Sequence, residues 1–241
     1  MNPTVPERPA AGGVGTPRFS TIELLAALVL LFVVTPFIQD LPHGDLIEVV
    51  LLTLVLVSAL VAVGGCRRTL VAAVVLLTPA LAGKWFDHFQ PSSVLACVFL
   101  GAGLVFISFV VVNLFQFILH APQVNADVLC AGISTYLMIG LLWAFTYVLV
   151  GRLSPGAFMF NATSAIHPSM EGFNAFYFSF ITLSTVGFGD VTPVSKVART
   201  LTVMEAVVGM FYMTILIARL VSLYSTSTCL TGPDETRRKQ Q

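Results

Sequence analysis

Charged residues are scarce. The chain has 12 Lys and Arg and 12 Asp and Glu, together 10% of its 241 residues. A soluble domain carries about a quarter charged residues, so a soluble globular fold is excluded and the chain belongs in a bilayer. The two signs cancel, which removes the basic surface that a nucleic-acid partner requires. Cysteines are few as well. Cys66, Cys97, Cys130 and Cys229 show no paired spacing, so neither a disulfide framework nor a thiolate metal site is expected. There is no serine elbow, no pair of metal-spaced histidines and no phosphate-cradling loop, so no enzyme is expected and no cofactor is called for. Residues 1–18 are rich in Pro, Gly and Ala and too polar to form the apolar core of a signal peptide. Residues 1–20 are expected to be a disordered cytoplasmic tail.

What is abundant is apolar sequence, 56% of the chain. A spanning helix needs about 20 predominantly apolar residues. Runs of that kind cover 21–38, 46–63, 69–86 (short, and containing Pro79), 93–119, 127–150 and 194–224. The expected fold is therefore all-α, with six transmembrane helices. Arg67 and Arg68 follow the second run, and Arg237, Arg238 and Lys239 follow the sixth. The positive-inside bias puts both clusters and both termini in the cytoplasm, with residues 151–193 entering from outside. Lys84 and Arg152 are too few to reverse this. Trp85, Phe86, Trp143 and Tyr147 are expected as interface anchors.

Residues 151–172 read as a polar loop, and 173–183 as an apolar, aromatic helix too short to span. A glycine-rich string and Pro193 follow at once. Non-helical backbone at membrane depth is tolerated where it lines a water-filled path. In Thr185-Val186-Gly187-Phe188-Gly189-Asp190, the two glycines permit the backbone angles that aim successive carbonyls at one axis. Rings of uncharged carbonyl oxygens can replace the water around a cation. The Thr185 hydroxyl would add the innermost ring, and Val186 and Phe188 would wedge the strand against its helix.

The string TVGFGD, preceded by an aromatic helix and followed by a proline and a spanning helix, resembles the signature of tetrameric potassium channels. The resemblance covers residues 127–224. It implies a re-entrant pore helix and selectivity filter between helices five and six, and a homotetramer around one central pore, because each chain has a single pore loop. It implies K+ held at Thr185, Val186, Gly187 and Phe188. It also implies Asp190 bonded back to a pore-helix aromatic, here Tyr177, and no glutamate partner at Ile181. The layout follows as a four-helix peripheral domain over 21–119, a pore domain over 127–224 and a short cytoplasmic tail over 225–241.

On the inner helix Gly209 admits two compatible readings, a hinge or a small residue for close packing. Met210, Met213, Ile217 and Val221 share one face and match cavity-lining positions; the other reading of this stripe is packing against helix five. Glu205 lies roughly 125° from that stripe by the helical period. An ionisable group in a membrane is functional by default, so Glu205 is expected behind the filter, bonded to Thr182 or Ser184; the alternative is a protonated carboxyl bonded to a neighbouring helix. Arg219, opposite the stripe, is expected to snorkel to the cytoplasmic interface. His167 near the outer mouth is a candidate pH sensor, or an ordinary loop histidine. Asn161-Ala162-Thr163 is a glycosylation sequon.

Two other classes are weighed, a carrier-type potassium uptake subunit and a non-conducting sensor or regulatory subunit on the same scaffold. The first usually carries four pore loops in one chain and lacks the second glycine, which is present here as Gly189. The compact chain, with no room after Tyr224 for a folded ligand-binding domain, is expected in a bacterial inner membrane. The run 93–119 holds no arginine, and a voltage sensor needs several in register. Conductance is therefore expected to vary little with voltage in patch recordings. A rise of about tenfold over a few tens of millivolts would contradict this.

Overall fold

The computed structural model describes residues 20–38, 44–63, 71, 73–79, 93–121, 125–161 and 169–230. Its elements are α1 (Ser20–Ile38), α2 (Gly44–Val63), α3 (Ser93–His120), α4 (Ala126–Leu153), β1 (Phe158–Phe160), α5 (Phe173–Leu183), β2 (Val191–Pro193) and α6 (Lys196–Leu230). Five helices among the described residues are long and apolar enough to cross a membrane: α1, α2, α3, α4 and α6. The protein is a multi-pass membrane protein. The expected third span, 69–86, lies largely outside the described residues, although 73–79 are helical.

The first three spanning helices are apolar on all sides, as helices surrounded by lipid and protein must be. Their few hydroxyls bond backward to their own backbone: Thr35 Oγ1 donates to the Leu31 carbonyl (2.6 Å) and Thr53 Oγ1 to that of Val49 (2.7 Å). Thr135 repeats this in α4, on Ala131 (2.7 Å). These hydroxyls are thereby satisfied without a partner helix, whereas the buried Ser134 Oγ of α4 has no hydrogen-bond partner among the described residues.

One core joins α1, α2, residues 73–79 and α3 to the middle of α4 through Met138 and Leu141. A second gathers Tyr147 of α4, β1, α5, β2 and Ala198 of α6. A third, lower down, packs Ile118 and Ala121 on Val128 and Ala131, with Leu216 and Leu220 of α6 against them. The helix α1 also touches α5 directly. Phe32 meets Phe176 and Phe180 edge-on, at ring separations of 5.5 and 4.2 Å.

The helix limits differ from the sequence expectation in ways their ends explain. The Ser195 hydroxyl accepts the Ala198 amide (3.1 Å), an N-cap that starts α6 two residues after 194. That helix then continues through 225–230, expected as tail. Arg152, in the last turn of α4, pairs with Glu171 (2.9 Å) at the end where a cation is favoured, and α4 runs on to Leu153. The loop 151–172 also contains an unforeseen strand. β1 pairs antiparallel with β2, Phe158 opposite Pro193, Met159 opposite Thr192 and Phe160 opposite Val191. Phe158 anchors it, edge-on to both Tyr147 and Phe178. Tyr147 is fully buried and is therefore no interface anchor; Trp143 packs beside it, and Trp85 and Phe86 lie outside the described residues.

Gly140 of α4 is where α5 comes closest: a Cβ there would run into the Phe180 ring. Gly140→Ala should lower the stability of the purified protein by about 1–3 kcal/mol, read as thermal unfolding in detergent. Gly101→Ala, which meets nothing within 4 Å, should not. Equal effects would refute the close approach.

Candidate functional site

The site begins where α5 ends. Eleven residues rise about 16 Å, half a hydrocarbon core, so the chain emerges inside the molecule. Its amides turn back on the helix just left. Ser184 N donates to the Phe180 carbonyl (3.0 Å), Thr185 N to Thr182 (2.9 Å), and both Val186 N and Gly187 N to Ile181 (2.8 and 3.1 Å). This uses the donors of residues 184–187. The carbonyls of Thr185, Val186, Gly187 and Phe188 accept no hydrogen bond among the described residues. They follow the partially negative C-terminal end of α5, which favours a cation.

Every second residue of this string has positive φ: Thr185 at 60°, Gly187 at 53° and Gly189 at 81°. In an ordinary strand successive residues face opposite ways. Reversing the sign of φ at alternate positions brings successive carbonyls toward one side. Two of the three positions are glycines, which adopt these angles freely. Thr185, the sole non-glycine with positive φ among the described residues, is β-branched and strained there, of order 1–3 kcal/mol. The sequence reading assigned this role to the glycines alone; the i, i+2, i+4 spacing of Thr185 with them was the available signal.

Beyond Gly189 the chain is held at several points. The Tyr177 hydroxyl lies close to the Asp190 side chain, and Asp190 Oδ1 accepts the Val191 amide (3.0 Å). The Asp190 carbonyl accepts the Asn161 amide (2.7 Å), and the Gly189 carbonyl accepts Asn161 Nδ2 (2.9 Å). Sequence reasoning missed Asn161 in this role because β1 was not foreseen. The wedge expected of Val186 and Phe188 is not made within the chain, for they are 54% and 71% exposed.

Behind α5, Glu205 of α6 is fully buried. Tyr147 Oη lies 2.5 Å from its Oε2 and Ser179 Oγ 2.5 Å from its Oε1; Ser179 Oγ is also 2.8 Å from the Gly140 carbonyl. The expected partners were Thr182 and Ser184, and this is corrected. Ser184 lies past the helix end and its hydroxyl donates to the Phe180 carbonyl (2.6 Å). Ser179 sits a turn earlier, on the face toward α4 and α6. The Ser179 hydroxyl thus ties α5 to both α4 and α6.

Gly209 is buried against the end of α5, where a Cβ would strike the Leu183 carbonyl oxygen. The close-packing reading of this glycine therefore has a partner, and α6 is one uninterrupted helix through it. Met210, Met213, Ile217 and Val221 are 55%, 42%, 54% and 62% exposed, so the stripe does not pack on α4. On the other side Tyr212 donates to the Gly132 carbonyl (2.6 Å). Arg219 donates to the Leu119 and Ala121 carbonyls (2.9 and 3.0 Å), at the open C-terminal end of α3. Among the described residues no group of His, Cys, Asp or Glu is placed to hold a metal ion; His167 lies outside them.

Residues 135–226 match the ion channel family model. A two pore potassium channel c from Oryza sativa subsp. japonica is 31% identical over 81 residues, 34% of this chain and 18% of that protein. Two-pore potassium channel 3 of Arabidopsis thaliana is 35% identical over 75 residues, 31% of this chain and 16% of its own length. This segment is similar to potassium channels of that family. A third relative, two-pore potassium channel 4 of Arabidopsis thaliana, is 41% identical over 49 residues, 20% of this chain and 17% of that protein. The chain thus spans less than a fifth of the length of these channels, and the residues matched by the family model run from α4 into α6. No solved structure matches.

The junction behind α5 sets a test. Glu205→Ala would leave the buried Tyr147 hydroxyl without its acceptor, which costs about 1–3 kcal/mol. Glu205→Gln presents an amide donor to Ser179 and an oxygen to Tyr147. It should keep most of the wild-type unfolding temperature while Glu205→Ala loses several degrees; identical losses would show that the junction does not hold the helices.

Proposed function

We propose that this chain is one subunit of a homotetrameric, potassium-selective channel that conducts K+ passively and has no conventional voltage sensor. The observation that carries the reading is the alternation of positive φ at Thr185, Gly187 and Gly189 beside four carbonyls with no partner among the described residues. Carbonyls are dipolar and uncharged, so they can bind a dehydrated cation without trapping it. In this reading K+ is held by Thr185, Val186, Gly187 and Phe188, with Asp190 at the outer mouth and Tyr177 as its support. α5 is the re-entrant pore helix, and Glu205 braces it through Ser179.

One pore loop per chain supports four copies around one axis. So does exposure: the filter residues and the stripe Met210, Met213, Ile217 and Val221 are open in the single chain. In a tetramer that stripe would line an apolar cavity able to close by dewetting. Gly209 serves close packing here and can serve as a hinge as well. The pore domain covers 127–224 and the peripheral helices 21–119. Both termini are placed in the cytoplasm on the strength of the basic clusters, and the membrane proposed is a bacterial inner membrane. The names of the relatives, all potassium channels, favour transport over catalysis. Gly189 and the single loop weigh against a carrier-type uptake subunit.

The test is flux in liposomes containing the purified protein, with K+ inside and Na+ outside. The reversal potential should follow the K+ gradient as external K+ is varied, and Gly187→Ala or Gly189→Ala should abolish the current. A reversal potential indifferent to the exchange of Na+ for K+ would refute selectivity. An absence of flux at every voltage, with the tetramer intact, would favour the non-conducting subunit.

A further inference from the structure

We infer that Asn161, on the loop before α5, is a positioning residue for the outer end of the filter: its side-chain N–H holds the Gly189 carbonyl turned away from the ion path. The inference rests on the channel reading. It begins with a geometric oddity. Of the five filter carbonyls from Thr185 to Gly189, only the last has a partner among the described residues, and that partner is a side chain 28 positions earlier (2.9 Å).

The register of the small sheet makes the contact possible. Phe160 pairs with Val191, which sets Asn161 opposite Asp190, and the Asn161 amide donates to the Asp190 carbonyl (2.7 Å). One residue thus fixes two successive carbonyls, 189 through its side chain and 190 through its backbone. The strand itself is anchored by Phe158 on Tyr147 and Phe178. Its other end is closed by the Val194 amide on the Ala157 carbonyl (2.8 Å).

Gly189 needs such a hold. With φ at 81° and nothing within 4 Å of a would-be Cβ, neither sterics nor packing limits rotation of the peptide that follows it. A carbonyl free to turn could face the axis or leave it, altering where the outermost ion sits. The Tyr177 hydroxyl close to the Asp190 side chain restrains the next residue and not this peptide. The contact also bears on the sequon. Asn161 Nδ2 is the atom a glycan would be attached to, which would leave a single N–H for this contact.

The experiment uses the full chain in liposomes, as wild type and as Asn161→Ala, Asn161→Asp and Met159→Ala. Aspartate keeps the shape but faces the Gly189 carbonyl with an oxygen. Met159, on the same strand and half exposed, makes no side-chain contact with the filter among the described residues. The Asn161 variants should keep the wild-type preference for K+ over Na+. They should need about fivefold more external K+ to sustain half of their current, the weight of one neutral hydrogen bond. Met159→Ala should behave as wild type. An unchanged K+ requirement in both Asn161 variants, or the same shift in Met159→Ala, overturns the inference. A second readout needs no conduction: the 13C resonance of the Gly189 carbonyl in lipid should move in Asn161→Ala. If it stays in place the inference fails even where the channel conducts. If it moves while wild type passes no K+, the contact stands and the channel reading is what fails.

Discussion

Four successive amides, from Ser184 to Gly187, hydrogen-bond back to carbonyls of the helix they have just left, and the packing around α5 depends on that turn. Backbone at membrane depth cannot leave its polar groups unsatisfied against lipid. Spending the donors on α5 resolves half of the difficulty and leaves the acceptors open on the other side. The strain at Thr185 is held in place by the same turn. The aromatic packing of α5, the short sheet and the polar junction of Glu205 all restrain this stretch from different directions.

Polar contacts also fasten α6 along its length. Glu205 reaches Tyr147 and Ser179 toward its N-terminal end, Tyr212 reaches the Gly132 carbonyl midway, and Arg219 reaches the end of α3 farther along. Lipid offers little hydrophobic drive for helix association, so such contacts and close packing at glycine carry the work that apolar burial does in water. Gly132, Gly140 and Gly209 are each buried where a side chain or carbonyl of another helix comes within reach of a Cβ. The opposite face of α6 is left open and apolar.

Much of this was legible from sequence because membrane helices are read by length and hydropathy, which are local. The limits of α5 are those expected, 173–183, since a polar loop and a glycine string bound it on either side. What was illegible depended on contacts between distant residues. Three residues of β1 give no period to detect, and only Phe158 settling between Tyr147 and Phe178 makes them a strand. Asn161 could not be tied to Gly189 without that strand's register. Ser179 and not Thr182 meets Glu205 because of the rotation of one short helix about its axis. The carbonyls ending α3 that Arg219 meets could not be named from its own helix. Thr185 was passed over because β-branched residues seldom take positive φ.

The edge-on contact of Phe32 with Phe176 and Phe180 has a mechanical consequence. The helix α1 does more than pack on α2; it forms part of the wall behind the turn that follows α5. Lateral pressure that tilts α1 therefore bears on α5 through two stacked rings, with no lever or linker between. A fragment cut out at α4 would lose that wall and bare an aromatic face of α5, so the unit that resists deformation includes α1 as well as α4 to α6.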